Sequence, residues 1–262
     1  CKISSNVSSQ KRGERQHLAG SEAVKMTVIP QDIEKIYGRD GMSAETFWTR
    51  VGSYNEALWP VQAVLVAAAA FLIYRVIAKA GPKTDVWMKA FLSLAFAWNG
   101  IVVFLVYLRN PISMASGVPL FLLVAILFAI DIWATKTAFR LPDTRWKRAL
   151  TFAWLLLVAL YPAIGWLFLG HAYPRTLLPT MPCPLTVFAI TLVAAAAPQV
   201  DRKVFVALLP WALMGLPKCF GALDCYEDCI LFASGVYGLI VLIRTWKAQP
   251  ADDKARSKEN IS

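Results

Sequence analysis

The residues able to do chemistry gather in a few places. The chain has five cysteines and two histidines. His171 stands in Gly170-His171-Ala172-Tyr173-Pro174, and Cys183 follows in Pro182-Cys183-Pro184. Cys219, Cys225 and Cys229 lie close together in sequence, among Asp224, Glu227 and Asp228. Thiolate and imidazole suit soft ions such as Zn or Cu(I), and His171, Cys183, Cys225 and Cys229 are the residues that would supply such a site. Cys225 and Cys229 stand four apart, a spacing that puts both on one helical face. There is no C-x-x-C and no H-x-x-x-H, however, so no metal site is favoured and no cofactor is implied. Cys183 reads rather as a small buried side chain, and Cys219, Cys225 and Cys229 as packing residues or halves of a disulfide, which an oxidising compartment permits.

His171 itself carries two readings. Gly170 ends a helix and Pro174 prevents its continuation, which makes His171 and Tyr173 interfacial residues of a cap. Alternatively the imidazole handles a proton or a ligand, since it titrates near neutral pH. Tyr54, Asn55 and Glu56 precede the first apolar run and form a second polar group, of which Tyr54 and Asn55 join His171 and Tyr173 as candidate ligand-binding residues. Asp131 lies inside an apolar run, where a carboxylate is costly and is either paired or functional. Local pairing with Lys136 or Arg75 is expected, and a transport role is the alternative. Asn99, in mid-run, is expected to bond between helices. Phosphate loops, a Walker motif and H-E-x-x-H are absent, as is G-x-S-x-G, which argues against an enzyme.

The elements that must position these residues are membrane helices. Apolar residues make up 57% and charged residues 17% of the chain, against roughly 45–50% and 25% in soluble domains. Seven apolar runs follow: 58–79, 86–108, 112–135, 148–169, 183–199, 204–217 and 226–245. Pro60 falls in the first turn of the first run and Pro162 predicts a kink in the fourth. The fifth and sixth runs are short, about 21–25 Å as helices. Because Asp201, Arg202 and Lys203 between them would be costly at mid-bilayer, two spans are favoured over a re-entrant hairpin. Lys and Arg alternate in the successive connections as 3, 1, 5, 1, 2, 1 and 5. The positive-inside rule then sets the N-terminus outside and the C-terminus in the cytoplasm. Trp59, Trp87, Trp133, Trp146, Trp166 and Trp246 fall at run ends, as an interfacial belt requires, whereas Trp98, Trp154 and Trp211 lie deeper and read as packing residues. The net charge of +10 is spread between the runs, so nucleic acid is not an expected partner. The expected partners are the bilayer and a small solute.

The polar, Ser-rich stretch 1–41 is expected to be disordered or artefactual, with Met42 as the start of the structured chain, and 247–262 to be a disordered cytoplasmic tail. The fold expected is therefore all-α, a polytopic membrane bundle over 42–246 with about seven transmembrane helices.

Three patches resemble a known family. They are Phe47–Pro60 (FWTRVGSYNEALWP), GHAYP at 170–174 with PCPLTVF at 182–188, and Pro210-Trp211-Ala212 with Gly215. In these the chain is similar to domain-of-unknown-function family 6064. The resemblance implies a multi-pass protein of the bacterial inner membrane without an established activity. It does not extend to 1–41 or to the cysteines of 218–229. The expected function is binding or passage of a small solute through the external loops. The alternative is a structural or partner-binding membrane subunit, and a weaker one a soft-metal permease.

Overall fold

The computed structural model describes residues 42–111, 113–219 and 225–259, the stretch 247–259 by its backbone alone. The extension 1–41 and Asp224 lie outside the described residues. Every element among these residues is a helix: α1 (Ala44–Ala78), α2 (Pro82–Leu108), α3 (Ser113–Ala134), α4 (Arg145–Leu169), α5 (Pro182–Ala196), α6 (Arg202–Leu213), the single turn α7 (Gly215–Cys219) and α8 (Asp228–Glu259). Five are long and apolar enough to cross a membrane: α1, α2, α3, α4 and the Asp228–Trp246 part of α8. The other two apolar runs form helices of 15 and 12 residues, about 22 and 18 Å long.

Several boundaries differ from those expected. α1 begins fourteen residues earlier than its apolar run, at Ala44, where the Ser43 side chain accepts the Thr46 N–H at 3.2 Å. That bond satisfies one of the donors a helix start leaves open. The segment before Trp59 is therefore helix rather than a loop. Pro60 sits inside α1, and the helix departs from regular geometry at Leu58, two residues before it. The ring cannot coexist with a regular preceding turn. α8 continues to Glu259, past the boundary expected at 246. α2 and α3 each contain a π-helical stretch, Asn99–Leu108 and Ser113–Gly117, on either side of their connection.

α5 is the axis of the bundle. All fifteen of its residues are buried, as a helix apolar all round requires. It packs chiefly on α8, α4 and α6, and the longer helices keep much of their apolar surface outward: only 17% of the apolar window of α4 and 22% of that of α1 is buried. The six belt tryptophans are all at least half exposed; Trp98 and Trp154 are half-buried and Trp211 is buried. Lipid is as apolar as leucine, so the core is held by close packing and by polar bonds rather than by escape from water. Phe104, Phe121 and Trp211 supply the first, each ring 5.1 Å from the other two.

The polar bonds hold the connections. The link 170–181 enters the bundle instead of lying on it. Asn55 Nδ2 donates to the carbonyls of Pro174 (2.6 Å) and Thr176 (2.8 Å), and Asn55 Oδ1 accepts from Gln62 at 3.1 Å. Asn99 donates to the Thr180 carbonyl at 3.0 Å, a bond from helix to link rather than the interhelical one expected of it. The depth of that anchor, well inside α2, explains why α5 is short: part of the path across the bundle is made by the link.

Candidate functional site

The two ends of the bundle each bury a carboxylate. At one end α2 begins and α3 finishes, and there Asp131 is fully buried. It pairs with Lys89 Nζ at 3.3 Å, not with the side chain of Lys136 or Arg75. Lys89 also donates to the Asp131 carbonyl at 2.9 Å. The backbone N–H groups of Lys136 and Thr137 close on the carboxylate at 2.8 and 3.2 Å, because Thr135 adopts a left-handed conformation (φ 50°) that ends α3 and turns the chain back. Lys136 pairs instead with Asp201 at 3.5 Å. Asp85 receives the Phe139 N–H at 2.8 Å. Asp131 thus ties the irregular connection 135–144 to the helices.

At the other end, α4 stops at Gly170, whose φ of 74° suits a residue without a Cβ. The Gly165 carbonyl accepts the N–H groups of both Gly170 and His171, which fixes the start of the link. His171 Nδ1 lies 2.7 Å from Glu227 Oε1, and its ring lies tilted against Trp48 with centroids 3.9 Å apart. Glu227 uses the room left by Gly165: a Cβ there would sit 2.6 Å from Oε1, so the end of the Glu227 side chain would have to shift. Its other oxygen, Oε2, is buried without a hydrogen-bond partner among the described residues. Burial pushes the Glu227 carboxyl above its usual range, against the opposing pull of the His171 bond.

The next residue, Asp228, starts α8. It accepts from Tyr161 at 2.9 Å and from the Cys183 thiol at 3.3 Å. Asp228, Cys183, Cys225 and Lys218 line one cavity of about 60 Å³ together with aromatic and aliphatic side chains that include Phe47, Phe104 and Trp211. The Lys218 ammonium lies 3.6 Å from the centroid of the Trp211 ring, a cation–π contact. Residues of both π-helical stretches, Leu108 and Ser113 among them, complete the wall. Such stretches recur at functional sites. One water needs roughly 10–15 Å³ on this measure, so the space fits a few waters or a small solute.

The candidates named from sequence separate in the structure. His171 and Cys183 belong to this end, with Cys225 buried beside the cavity. Cys229 is bonded to Cys219, so it is no thiolate ligand. Cys225 precedes α8 rather than sharing a helical face with Cys229. Burial, and then the nearby Asp228 and Glu227 carboxylates, push the Cys225 thiol well above its usual range, which keeps it protonated and a poor soft ligand. Among the described residues no three His, Cys, Asp or Glu side chains form a metal-holding group. Tyr54 is a packing residue: its hydroxyl accepts from Trp98 Nε1 at 3.1 Å and its ring meets Tyr107 edge-on. Asn55 is spent on the link. Tyr173 is 58% exposed on it. Asp131 is at the opposite end. The sequence reading missed Lys89, Tyr161, Gly165 and Lys218. Lys89 was visible as a second charge inside an apolar run, and the alternation of the runs places it at the same end as Asp131.

The model of a family of unknown function, DUF6064, matches residues 44–252, and the chain belongs to that family. No curated protein and no solved structure matches it.

Proposed function

We propose that this DUF6064 protein is a multi-pass protein of the bacterial inner membrane that binds a small solute in the cavity beside Asp228. The observation that carries this reading is the convergence of Asp228, Lys218 and two thiols on a cavity whose other walls are apolar and aromatic. A few directed polar groups in an apolar pocket are the usual form of a ligand site. With both charge signs present, a solute with a compact apolar body and a neutral or zwitterionic polar group fits best. Binding is favoured over passage. Asp131, for which a transport role was the alternative to pairing, is occupied by Lys89 and two backbone donors, and Asn99 bonds to Ala95 and Thr180. Neither lines the cavity.

In this reading α5 with its inward link and α6 complete seven passes, and the basic connections set the Asp131 end in the cytoplasm and the His171 end outside. Two measurements test it. A thermal-shift panel of small amines, amino acids, carboxylates and metal ions on detergent-purified protein should find a solute that raises Tm in the wild type and not in Asp228→Asn. A panel without any such solute overturns the binding reading. Reporters fused after Arg140 and after Arg175 should report opposite sides, and the same side for both overturns the topology.

A further inference from the structure

A space larger than the cavity beside Asp228 is an open groove of about 700 Å³ at the Asp131 end, between α4 and α8 over the last turn of α5. Its floor is the run Ala194–Ala197. Four consecutive alanines leave the depth that larger side chains would fill. The rings of Trp154 and Tyr237 stack at 5.7 Å between the two helices, and on the side of Leu150, Ile240 and Val241 the groove is apolar. Its mouth is charged. Arg140, Lys147 and Arg244 all line it and are exposed, against a single carboxylate, Asp143. None of the three cations takes part in an ion pair among the described residues.

The height of these cations identifies what meets them. Trp133, Trp146 and Trp246, 79%, 57% and 50% exposed, ring this same end, and exposed tryptophans of a membrane helix sit at the headgroup level. Arg244 is two residues from Trp246, and Lys147 adjoins Trp146. The three cations are therefore level with lipid phosphates, and the apolar wall runs from them toward the acyl region. Basic pockets between membrane helices hold anionic headgroups, each Lys or Arg adding about a factor of five.

We propose that this groove binds one anionic phospholipid, its phosphate among Arg140, Lys147 and Arg244 and an acyl chain along Leu150, Ile240 and Val241. The inference does not depend on solute binding at the other end. The test is native mass spectrometry and thermal unfolding of the detergent-solubilised full chain with added phosphatidylglycerol, with phosphatidylcholine, or with soluble glycerol phosphate. Phosphatidylglycerol should bind at least about tenfold more tightly than phosphatidylcholine and raise Tm, and glycerol phosphate should do neither. The variant Arg140→Gln/Lys147→Gln/Arg244→Gln should lose the preference while its lipid-free Tm stays near that of the wild type, since all three side chains are exposed. Lys83→Gln, an exposed cation of the same end outside the groove, should keep the preference. Equal binding of the two lipids, an undiminished preference in the triple variant, or equal stabilisation by glycerol phosphate would each overturn the proposal.

Discussion

Asp131 and Glu227 are both buried carboxylates facing a basic side chain near a helix end, and they are built to opposite plans. Asp131 meets Lys89 and two backbone N–H groups, and the lysine returns a second bond to the Asp131 carbonyl. Glu227 meets His171 through one oxygen and leaves the other unpartnered, in a gap that exists because residue 165 has no side chain. Desolvating a charge costs several kcal/mol unless hydrogen bonds replace the lost solvent. The Asp131 end makes that replacement in full and is a clamp on the chain. The Glu227 end makes half of it, next to a cavity that mixes thiols with both charge signs. Saturation separates a structural ion pair from a candidate working one, where burial alone does not.

The comparison breaks most easily at Lys89. Lys89→Ala leaves Asp131 buried without its cation and should cost about 3–5 kcal/mol, read as a lower unfolding midpoint in detergent. Lys89→Met/Asp131→Leu removes both charges and should unfold clearly above the single variant. A single variant as stable as the wild type would show that the pair does not clamp the fold.

The His171 end has its own restraint in the disulfide. Cys219→Ser/Cys229→Ser opens a loop of sequence separation 10 and should cost about 2–3 kcal/mol. A reductant should lower the Tm of the wild type and leave the double variant unmoved.

Gly165→Ala puts a Cβ against the Glu227 oxygen and should cost about 1–3 kcal/mol by overpacking. Adding Glu227→Ala should recover part of that loss. An additive cycle would show that residue 165 does not reserve space for the carboxylate.

The smallest effect sharpens the contrast through pH. The Glu227 carboxyl is raised in the folded protein by burial, so the native state binds its proton more tightly than the unfolded chain does. Its contribution to stability is fully present below the usual glutamate range and is lost as pH rises through the raised value. Stability in detergent should therefore rise on acidification from neutral pH toward that range. Glu227→Gln should flatten this rise by about 1 kcal/mol or less. An unchanged slope would assign the dependence to another group.

How much of this was legible beforehand follows from what each residue answers to. The membrane helices were readable because their apolar length is a local property, and the interfacial tryptophans because exposure follows depth. The cap at Gly170 was readable for the same reason, whereas Asn99, expected to bond between helices, bonds to the link before α5. The start of α1 was not, since Phe47–Leu58 is too polar for a membrane window and becomes helix through Ser43 and its packing. The two functions of Gly165, and the division of the cysteines into a 219–229 bridge and two cavity residues, depend on which elements meet in space. No spacing rule contains that information. Asn55 misled for a related reason: a polar residue beside an apolar run looks like a ligand, and here it is used up on two backbone carbonyls of a link more than a hundred residues away.

The burial of α5 on every side has a consequence for how the molecule is made. A translocating chain is released sideways into lipid one segment at a time, and a segment is retained by the apolar face it shows to lipid. α5 shows none in the finished molecule. The groups that receive its two flanking connections, Asn55, Asn99 and Thr137, sit on α1, α2 and the connection after α3, all of which leave the ribosome before it. The partners of its flanking connections are thus in place when the fifth helix emerges, but its cover is completed only by α6 and α8, which follow it. Full burial of α5 therefore waits on helices made after it, and a chain cut after Ala196 would leave it open on the sides that α6 and α8 cover.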